Sequence, residues 1–128
     1  MIPRFRAWDK KFKTMYEADD IVYIDFEENQ ICVKTLFFER ASRYDFDDVV
    51  LMQSTGFRDK NGKEIFEGDI VDSEDGILSG VVEFRPDLGM FVSTLIKYNN
   101  FERLCNVADS VHIIGNIYEN PELLEVSS

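Results

Sequence analysis

The sequence has 128 residues, a net charge of −11, 45% hydrophobic residues and 30% charged residues. This composition excludes a disordered polyelectrolyte, and the length is enough for one compact domain with a hydrophobic core. No apolar run approaches the ~18–20 residues that span a bilayer. Arg4 and Arg6 lie where a signal peptide needs an apolar region. We therefore expect a cytoplasmic protein with no membrane partner.

The first 48 residues are predicted to form an N-terminal β unit. Residues 21–26 are rich in the β-branched and aromatic side chains that strands favour, and a polar turn follows at residues 27–30. A second strand from Ile31 to Phe38 completes a predicted hairpin. Residues 38–48 have the weakest pattern, and we expect them to separate this unit from the rest of the chain.

Residues 49–128 are predicted to form a second β unit, because apolar residues alternate with polar ones more than they repeat at helical spacing. Asn61-Gly62 is the strongest turn signal, since both residue types tolerate a positive φ. The strands predicted here cover residues 49–55, 64–66, 68–72, 81–84, 90–98 and 111–118.

Helix is scarce in the sequence. Asn120 suits an N-cap and Pro121 suits the first helical position, so residues 120–125 predict a short C-terminal helix or turn. Residues 99–109 could hold a helical turn or a loop. Many short strands joined by turns favour a mainly β fold, either a small barrel or a sandwich. The two β units could also form one compact domain.

The two cysteines, Cys32 and Cys105, are expected to be unpaired thiols in a cytoplasmic chain. Cys32 lies in an apolar run, which predicts that it is a small buried side chain.

Basic and aromatic residues are interleaved at the N-terminus of this otherwise acidic chain. Phe5, Trp8, Phe12 and Tyr16 lie near basic side chains, a pattern that can stack on single-stranded bases. The acidic net charge opposes nucleic-acid binding unless the basic segment gathers into a local patch. In the simpler interpretation, Phe5 and Trp8 pack in the core while Arg4 and Arg6 point outward.

Residues 59–63 resemble fragments of two ligand-binding loops, but neither loop is complete. In an EF-hand register, the first and twelfth ligand positions would be Phe57 and Gly68, which offer no carboxylate. In a phosphate-binding loop, Lys63 should be followed by Ser or Thr, and Glu64 stands there instead. A glycine-containing β-turn is the better interpretation.

No other set of residues indicates a metal, a cofactor or a catalytic centre. The acidic cluster of Asp69, Asp72, Glu74 and Asp75 does not converge locally, because Asp69 and Asp72 lie on opposite faces of one predicted strand. His112 is the one residue suited to assist a nucleophile, and its apolar neighbours favour a structural role. We therefore expect no enzyme, and no catalytic, cofactor-binding or metal-binding residues.

Three segments resemble the YopX-like proteins of phages and prophages. They are residues 6–10 (RAWDK), residues 51–71 (LMQSTGFRDKNGKEIFEGDIV) and residues 111–124 (VHIIGNIYENPELL). The resemblance implies a mainly β fold with an SH3-like barrel in the C-terminal part, a phage or prophage source and a bacterial cytoplasmic setting. It supplies no activity and no site residues. Several of these residues are expected to shape the fold: Gly56, Gly62, Ile65, Gly68, Ile70, Val71, Gly115 and Pro121.

Several functions remain open at this point. The first is a non-enzymatic interaction module of phage development that self-associates through strand edges or its apolar N-terminal unit, or binds a phage or host protein. The second is nucleic-acid binding through the basic, aromatic N-terminal segment. The third is an acidic decoy whose carboxylates imitate a phosphate backbone. A hydrolase or metalloenzyme is the fourth.

Overall fold

The computed structural model describes residues 4–34 and 41–125. The fold is mainly β, with 52% of residues in strands, which confirms the predicted fold class. The chain divides into two compact units, Met1–Gln53 and Ser54–Ser128. The predicted boundary after residue 48 lies at the start of the strand that crosses this division.

The N-terminal unit contains two antiparallel sets of strands. Its strands are β1 (Phe5–Asp9), β2 (Thr14–Tyr16), β3 (Ile21–Asp25), β4 (Gln30–Lys34), β5 (Ala41–Asp45) and the first half of β6 (Val49–Arg58). Strand β1 pairs with β2 on one side and with residues 49–53 of β6 on the other. Strands β3, β4 and β5 form a three-stranded sheet in that order. Short 3-10 helices occupy Ala18–Asp20 and Phe46–Asp48.

Alternation along the strands builds the core of the N-terminal unit. Ile31 and Val33 lie two residues apart on β4 and are both fully buried, since side chains at this spacing share a face. Ala7 and Val49 complete the buried cluster. The partly buried side chains packed against it are Tyr16, Ile21, Ile24, Tyr44, Phe46 and Leu51.

The C-terminal unit is organised by a five-stranded antiparallel sheet. Its elements are the second half of β6, β7 (Glu64–Phe66), β8 (Asp69–Asp72), β9 (Gly80–Arg85), β10 (Met90–Leu95), β11 (Phe101–Arg103), α1 (Leu104–Val107) and β12 (His112–Asn116). The strand order is β11-β10-β9-β8-β12. Residues 54–58 of β6 pair with β7. The short helix α1 buries Leu104 and Val107 in the core, together with Ile65, Val71, Val82, Ala108 and Val111.

Most predicted strands are confirmed, and the differences have physical reasons. The β3–β4 hairpin forms as predicted, although residues 35–38 of its second strand lie outside the described residues. Strand β6 was expected to stop at Gly56, but it continues to Arg58 because Gly56 adopts a φ of 80° within the strand. The residues from 99 to 109 contain both β11 and α1.

The C-terminal helix is a short 3-10 helix, Pro121–Leu124, with Pro121 at its start as predicted. Cys32 is buried, Cys105 is exposed, and both are free thiols. No helix in residues 4–34 and 41–125 is long and apolar enough to cross a membrane. The SH3-like barrel stays a prediction.

Candidate interaction surface

Asp59, in the middle segment singled out by the sequence, holds a turn through its buried carboxylate. Its Oδ1 accepts hydrogen bonds from the backbone N–H groups of Asn61 and Lys63, both at 2.9 Å. Its Oδ2 accepts one from the backbone N–H of Ile113 at 2.9 Å. Burial raises the pKa of this carboxyl, but the three backbone hydrogen bonds outweigh burial and leave the pKa below its usual value. This carboxylate therefore fixes the turn to a strand 54 residues away.

Asp9, in the first segment, has the same role in the N-terminal unit and is only 1% exposed. Its Oδ1 accepts hydrogen bonds from the backbone N–H groups of Lys11 and Phe12, both at 2.9 Å. Its Oδ2 accepts one from the Tyr16 hydroxyl at 2.9 Å. Burial, followed by hydrogen bonds with Tyr44 and Asp9, raises the pKa of Tyr16 far above its usual value. The Tyr16 hydroxyl is therefore a fixed donor to Asp9.

Asn116, in the last segment, also anchors a turn with its side chain. Its Oδ1 accepts hydrogen bonds from the backbone N–H groups of Tyr118 and Glu119, at 3.0 and 2.8 Å. Next to it, a Cβ on Gly115 would lie 2.5 Å from Oδ1 of Asn120, so only glycine fits without displacing that side chain. Gly115 therefore shapes the fold, as expected, by allowing this close approach.

The acidic cluster of the C-terminal unit is divided among separate structural contacts. The buried Asp69 accepts a hydrogen bond from the backbone N–H of Phe66 at 2.8 Å. Glu74 pairs with Lys60, which lowers the pKa of Glu74. Asp75 accepts hydrogen bonds from the Ser73 hydroxyl and the backbone N–H of Ile77. Within residues 4–34 and 41–125, no three or more His, Cys, Asp or Glu residues are grouped to hold a metal.

His112 is half-buried on β12, directly opposite Asp72 of β8. The glycine-containing turn expected at residues 59–63 forms with Gly62 at a φ of 84°. The side chains singled out for chemistry therefore lie within strands and turns of the fold.

The N-terminal unit carries a groove that the sequence did not reveal. We call it the aromatic groove; it encloses about 440 Å³ and is lined by Arg4, Phe5, Ala18, Ile21, Val22, Tyr23, Ile24 and Phe26. Three of these apolar side chains remain exposed in the structure: Val22 by 50%, Tyr23 by 41% and Phe26 by 63%. A contiguous set of exposed apolar side chains is typical of an interaction site.

The exposure of the groove follows from the local geometry of β3. A register shift between Ile21 and Tyr23 interrupts the alternation, so the consecutive residues Val22 and Tyr23 are both exposed. Phe26 lies at the end of the hairpin, with its ring edge-on to Phe5 at 6.2 Å and to Phe46 at 5.8 Å between ring centroids. Among the described residues, β3 pairs with β4 on one side and with no strand on the other.

A second surface feature is the turn between β1 and β2, whose four residues are Lys10, Lys11, Phe12 and Lys13. We call it the cationic turn. All four residues are exposed, and Phe12 is exposed by 63%. The Lys11 ammonium lies 5.4 Å from the centre of the Phe12 ring.

The other aromatic and basic residues of the N-terminal segment have different environments. Trp8 is buried as predicted, with 7% exposure, and Phe5 is partly buried in the aromatic groove. The prediction that Arg6 points outward is wrong, because Arg6 is only 5% exposed. Arg6 and Trp8 are two residues apart on β1 and share a face, so the burial of one face includes both side chains.

Comparisons with known proteins agree with the resemblance of the three segments. The family model described as YopX protein matches residues 4–125. The crystal structure of protein EF1440 from Enterococcus faecalis is similar over 98% of this chain and 99% of that one, with 30% identity and a TM-score of 0.66. Protein yopX from Bacillus subtilis is similar over 95% and 98% of the two chains, with 26% identity and a TM-score of 0.62. No curated protein matches this chain.

Proposed function

This chain belongs to the YopX family, and from that premise we propose that it is a non-enzymatic interaction module that self-associates through the aromatic groove. The proposal includes a phage or prophage source and a role in the bacterial cytoplasm, as the resemblance of the three segments implies. The observation that carries it is the exposure of Val22, Tyr23 and Phe26 around one groove at the edge of a sheet.

Burial of the exposed apolar side chains would favour association at the aromatic groove. Fully removing a large apolar side chain from water contributes about 1.5–3 kcal/mol. In a symmetric pair, Val22, Tyr23 and Phe26 of both copies would lose their exposed surface together. Among the described residues, β3 is an edge strand, so an added strand could pair with its outer edge.

The chemistry of β3 favours a second copy as the occupant. Residues 21–24 carry no charge, so two such edges can pair in antiparallel fashion without placing like charges opposite each other. A two-fold arrangement uses the same patch on both copies, as most protein dimers do. A phage or host protein with an apolar strand is the competing occupant, and it would leave the isolated chain monomeric.

The buried polar residues support a non-enzymatic function. Asp9, Asp59 and Asn116 use their side-chain oxygens to hold backbone N–H groups. A carboxylate committed to backbone hydrogen bonds is poorly placed to exchange protons with a substrate. Their role in turns explains why they stand in the three segments.

The experiment compares the molar mass of the purified chain and its variants by light scattering at micromolar concentrations. The wild-type chain is expected to form a dimer or larger assembly. Tyr23→Lys is expected to yield a monomer, because its ammonium would have to be buried at the new interface. Ile77→Lys is the matched control, since Ile77 is an exposed apolar residue of the C-terminal unit, and it is expected to leave the assembly intact.

A monomeric wild-type chain at these concentrations would contradict self-association. An assembly that Tyr23→Lys leaves unchanged while Ile77→Lys disrupts it would place the interface elsewhere and contradict the role of the aromatic groove.

A further inference from the structure

The cationic turn leaves positive charge unpaired in a protein with a large acidic excess. The chain has 25 Asp and Glu residues against 14 Lys and Arg. Nevertheless, within the described part of the chain, neither Lys11 nor Lys13 forms an ion pair with a carboxylate. Lys10 is engaged differently, because its ammonium donates a hydrogen bond to the backbone carbonyl of Asp47 at 2.9 Å. The two lysines that flank the exposed Phe12 in sequence therefore have no carboxylate partner in the described part of the chain.

The backbone beneath these side chains is held in one shape. The Asp9 carboxylate accepts hydrogen bonds from the backbone N–H groups of Lys11 and Phe12. The Asp9 carbonyl accepts one from the backbone N–H of Lys13 at 2.9 Å. On the other flank, the Thr14 hydroxyl donates to the Phe12 carbonyl at 3.1 Å. A ligand that contacts this turn loses little backbone entropy on binding, because the turn is already ordered.

The combination of one exposed ring and two free ammonium groups selects the chemistry of the ligand. A flat aromatic ring stacks on the face of a nucleobase, and such stacking tolerates any base. The ammonium groups match the phosphates that flank an unstacked base. We propose that the cationic turn is a contact site for single-stranded nucleic acid, with Phe12 as the stacking residue and Lys11 and Lys13 as the phosphate contacts.

The alternative ligands, duplex nucleic acid and an acidic protein surface, would contact fewer side chains of the cationic turn. Duplex nucleic acid keeps its base faces inside the stack, so it offers Phe12 nothing to stack on. An acidic protein surface could pair with Lys11 and Lys13, but it would leave the Phe12 ring without a flat partner. The Lys11 ammonium lies over the Phe12 ring at 5.4 Å from its centre, and Phe12 remains 63% exposed.

The acidic net charge does not prevent a local contact. Interactions between exposed charges fall off over about 8 Å at physiological ionic strength. Within residues 4–34 and 41–125, the acidic residues Asp47 and Asp48 lie on the Lys10 side of the turn, because their backbone carbonyls accept hydrogen bonds from Lys10. Binding is therefore assigned to the Lys11 and Lys13 side, and it should weaken steeply as salt is added.

The experiment measures fluorescence anisotropy of a labelled oligothymidine of about 12 nucleotides, a length within the range that single-strand sites cover. Phe12→Ala is expected to weaken binding about tenfold at low salt. Lys11→Gln and Lys13→Gln should each reduce the slope of log K against log salt by about 0.7. Lys97→Gln and Tyr98→Ala are matched controls, because Lys97 and Tyr98 are adjacent exposed residues of the C-terminal unit. These two variants should change neither the affinity for the oligothymidine nor its salt dependence.

Either of two results would overturn the proposal. One is the absence of binding at about 20 mM salt, where phosphate contacts are strongest. The other is binding that polyglutamate displaces and that Phe12→Ala leaves unchanged, since the turn would then be a site for acidic proteins. Light scattering on Phe12→Ala separates this inference from the proposed self-association, because Phe12 is not a lining residue of the aromatic groove.

Discussion

Both units of the molecule contain a turn built on a buried aspartate, but the two aspartates reach different distances along the chain. Asp9 binds the backbone of Lys11 and Phe12 and the hydroxyl of Tyr16, all within seven residues. Asp59 binds its own turn and also the backbone of Ile113, 54 residues away. The contacts of Asp9 are therefore local, whereas Asp59 connects the middle of the chain to its last strand by a hydrogen bond.

This difference separates what each turn does for the molecule. The turn after Asp9 presents three lysines and Phe12 to solvent, and its anchor fixes how they are presented. The turn after Asp59 is bonded to β12 through Ile113, and Lys60 donates its backbone N–H to the carbonyl of Val111, just before β12, at 2.9 Å. We infer that Asp59 mainly stabilises the C-terminal unit and that Asp9 mainly shapes a surface.

The largest expected effect is that of Asp59→Ala. Three backbone N–H groups lose their acceptor, and we expect the free energy of unfolding to fall by about 3–4 kcal/mol. Urea unfolding, followed by far-UV circular dichroism, measures this change in the free energy of unfolding. Asp75→Ala is the matched control, because Asp75 also anchors its turn but is exposed, and its loss should be much smaller. Equal losses in the two variants would contradict the long-range role of Asp59.

A smaller effect is expected for Asp9→Ala. It removes the acceptor of two backbone N–H groups and the Tyr16 hydroxyl, but these contacts all lie within seven residues, whereas Asp59 also holds a strand 54 residues away. We expect a loss of about 2–3 kcal/mol in the same unfolding experiment. The variant should also reduce binding of the oligothymidine, because Lys11 and Phe12 lose their fixed position. Full binding by this variant would show that the anchor does not shape the surface.

Much of this fold was predictable from the sequence because local rules determine it. The β3–β4 hairpin, β7 and β8 follow from alternation and from turns rich in polar residues or glycine. By contrast, β5 lies in residues 38–48, where the pattern is weakest, and its alternate residues are only half-buried. A strand with so little buried surface leaves little hydrophobic signal in its sequence.

The candidate surfaces were less predictable than the fold. The cationic turn is contiguous in sequence, so its composition was visible, and the burial of Trp8 was predicted, but the burial of Arg6 was not. The aromatic groove depends on a register shift at Val22, which brings two consecutive side chains to the surface. A shift of this kind is determined by pairing with β4, and no local residue pattern predicts it.

The smallest expected effect is a pH dependence that distinguishes the charge of Asp59 from its shape. In Asp59→Asn, the remaining side-chain oxygen can still accept from Asn61 and Lys63, whereas the amide nitrogen cannot accept from Ile113. Above the ordinary pKa of 3.8, the wild-type chain should be more stable than this variant by about 1–2 kcal/mol.

The sign of the pH effect follows from the pKa of Asp59. Folding lowers this pKa, because backbone N–H groups stabilise the carboxylate against the opposing effect of burial. Its contribution is therefore complete above pH 3.8 and is lost as the pH falls through the lower folded-state value. The difference in unfolding free energy between wild type and Asp59→Asn, measured in urea from pH 7 down to pH 3, should shrink below pH 4. A difference that stays constant over this range would mean that the shape of the side chain, and not its charge, ties the turn to β12.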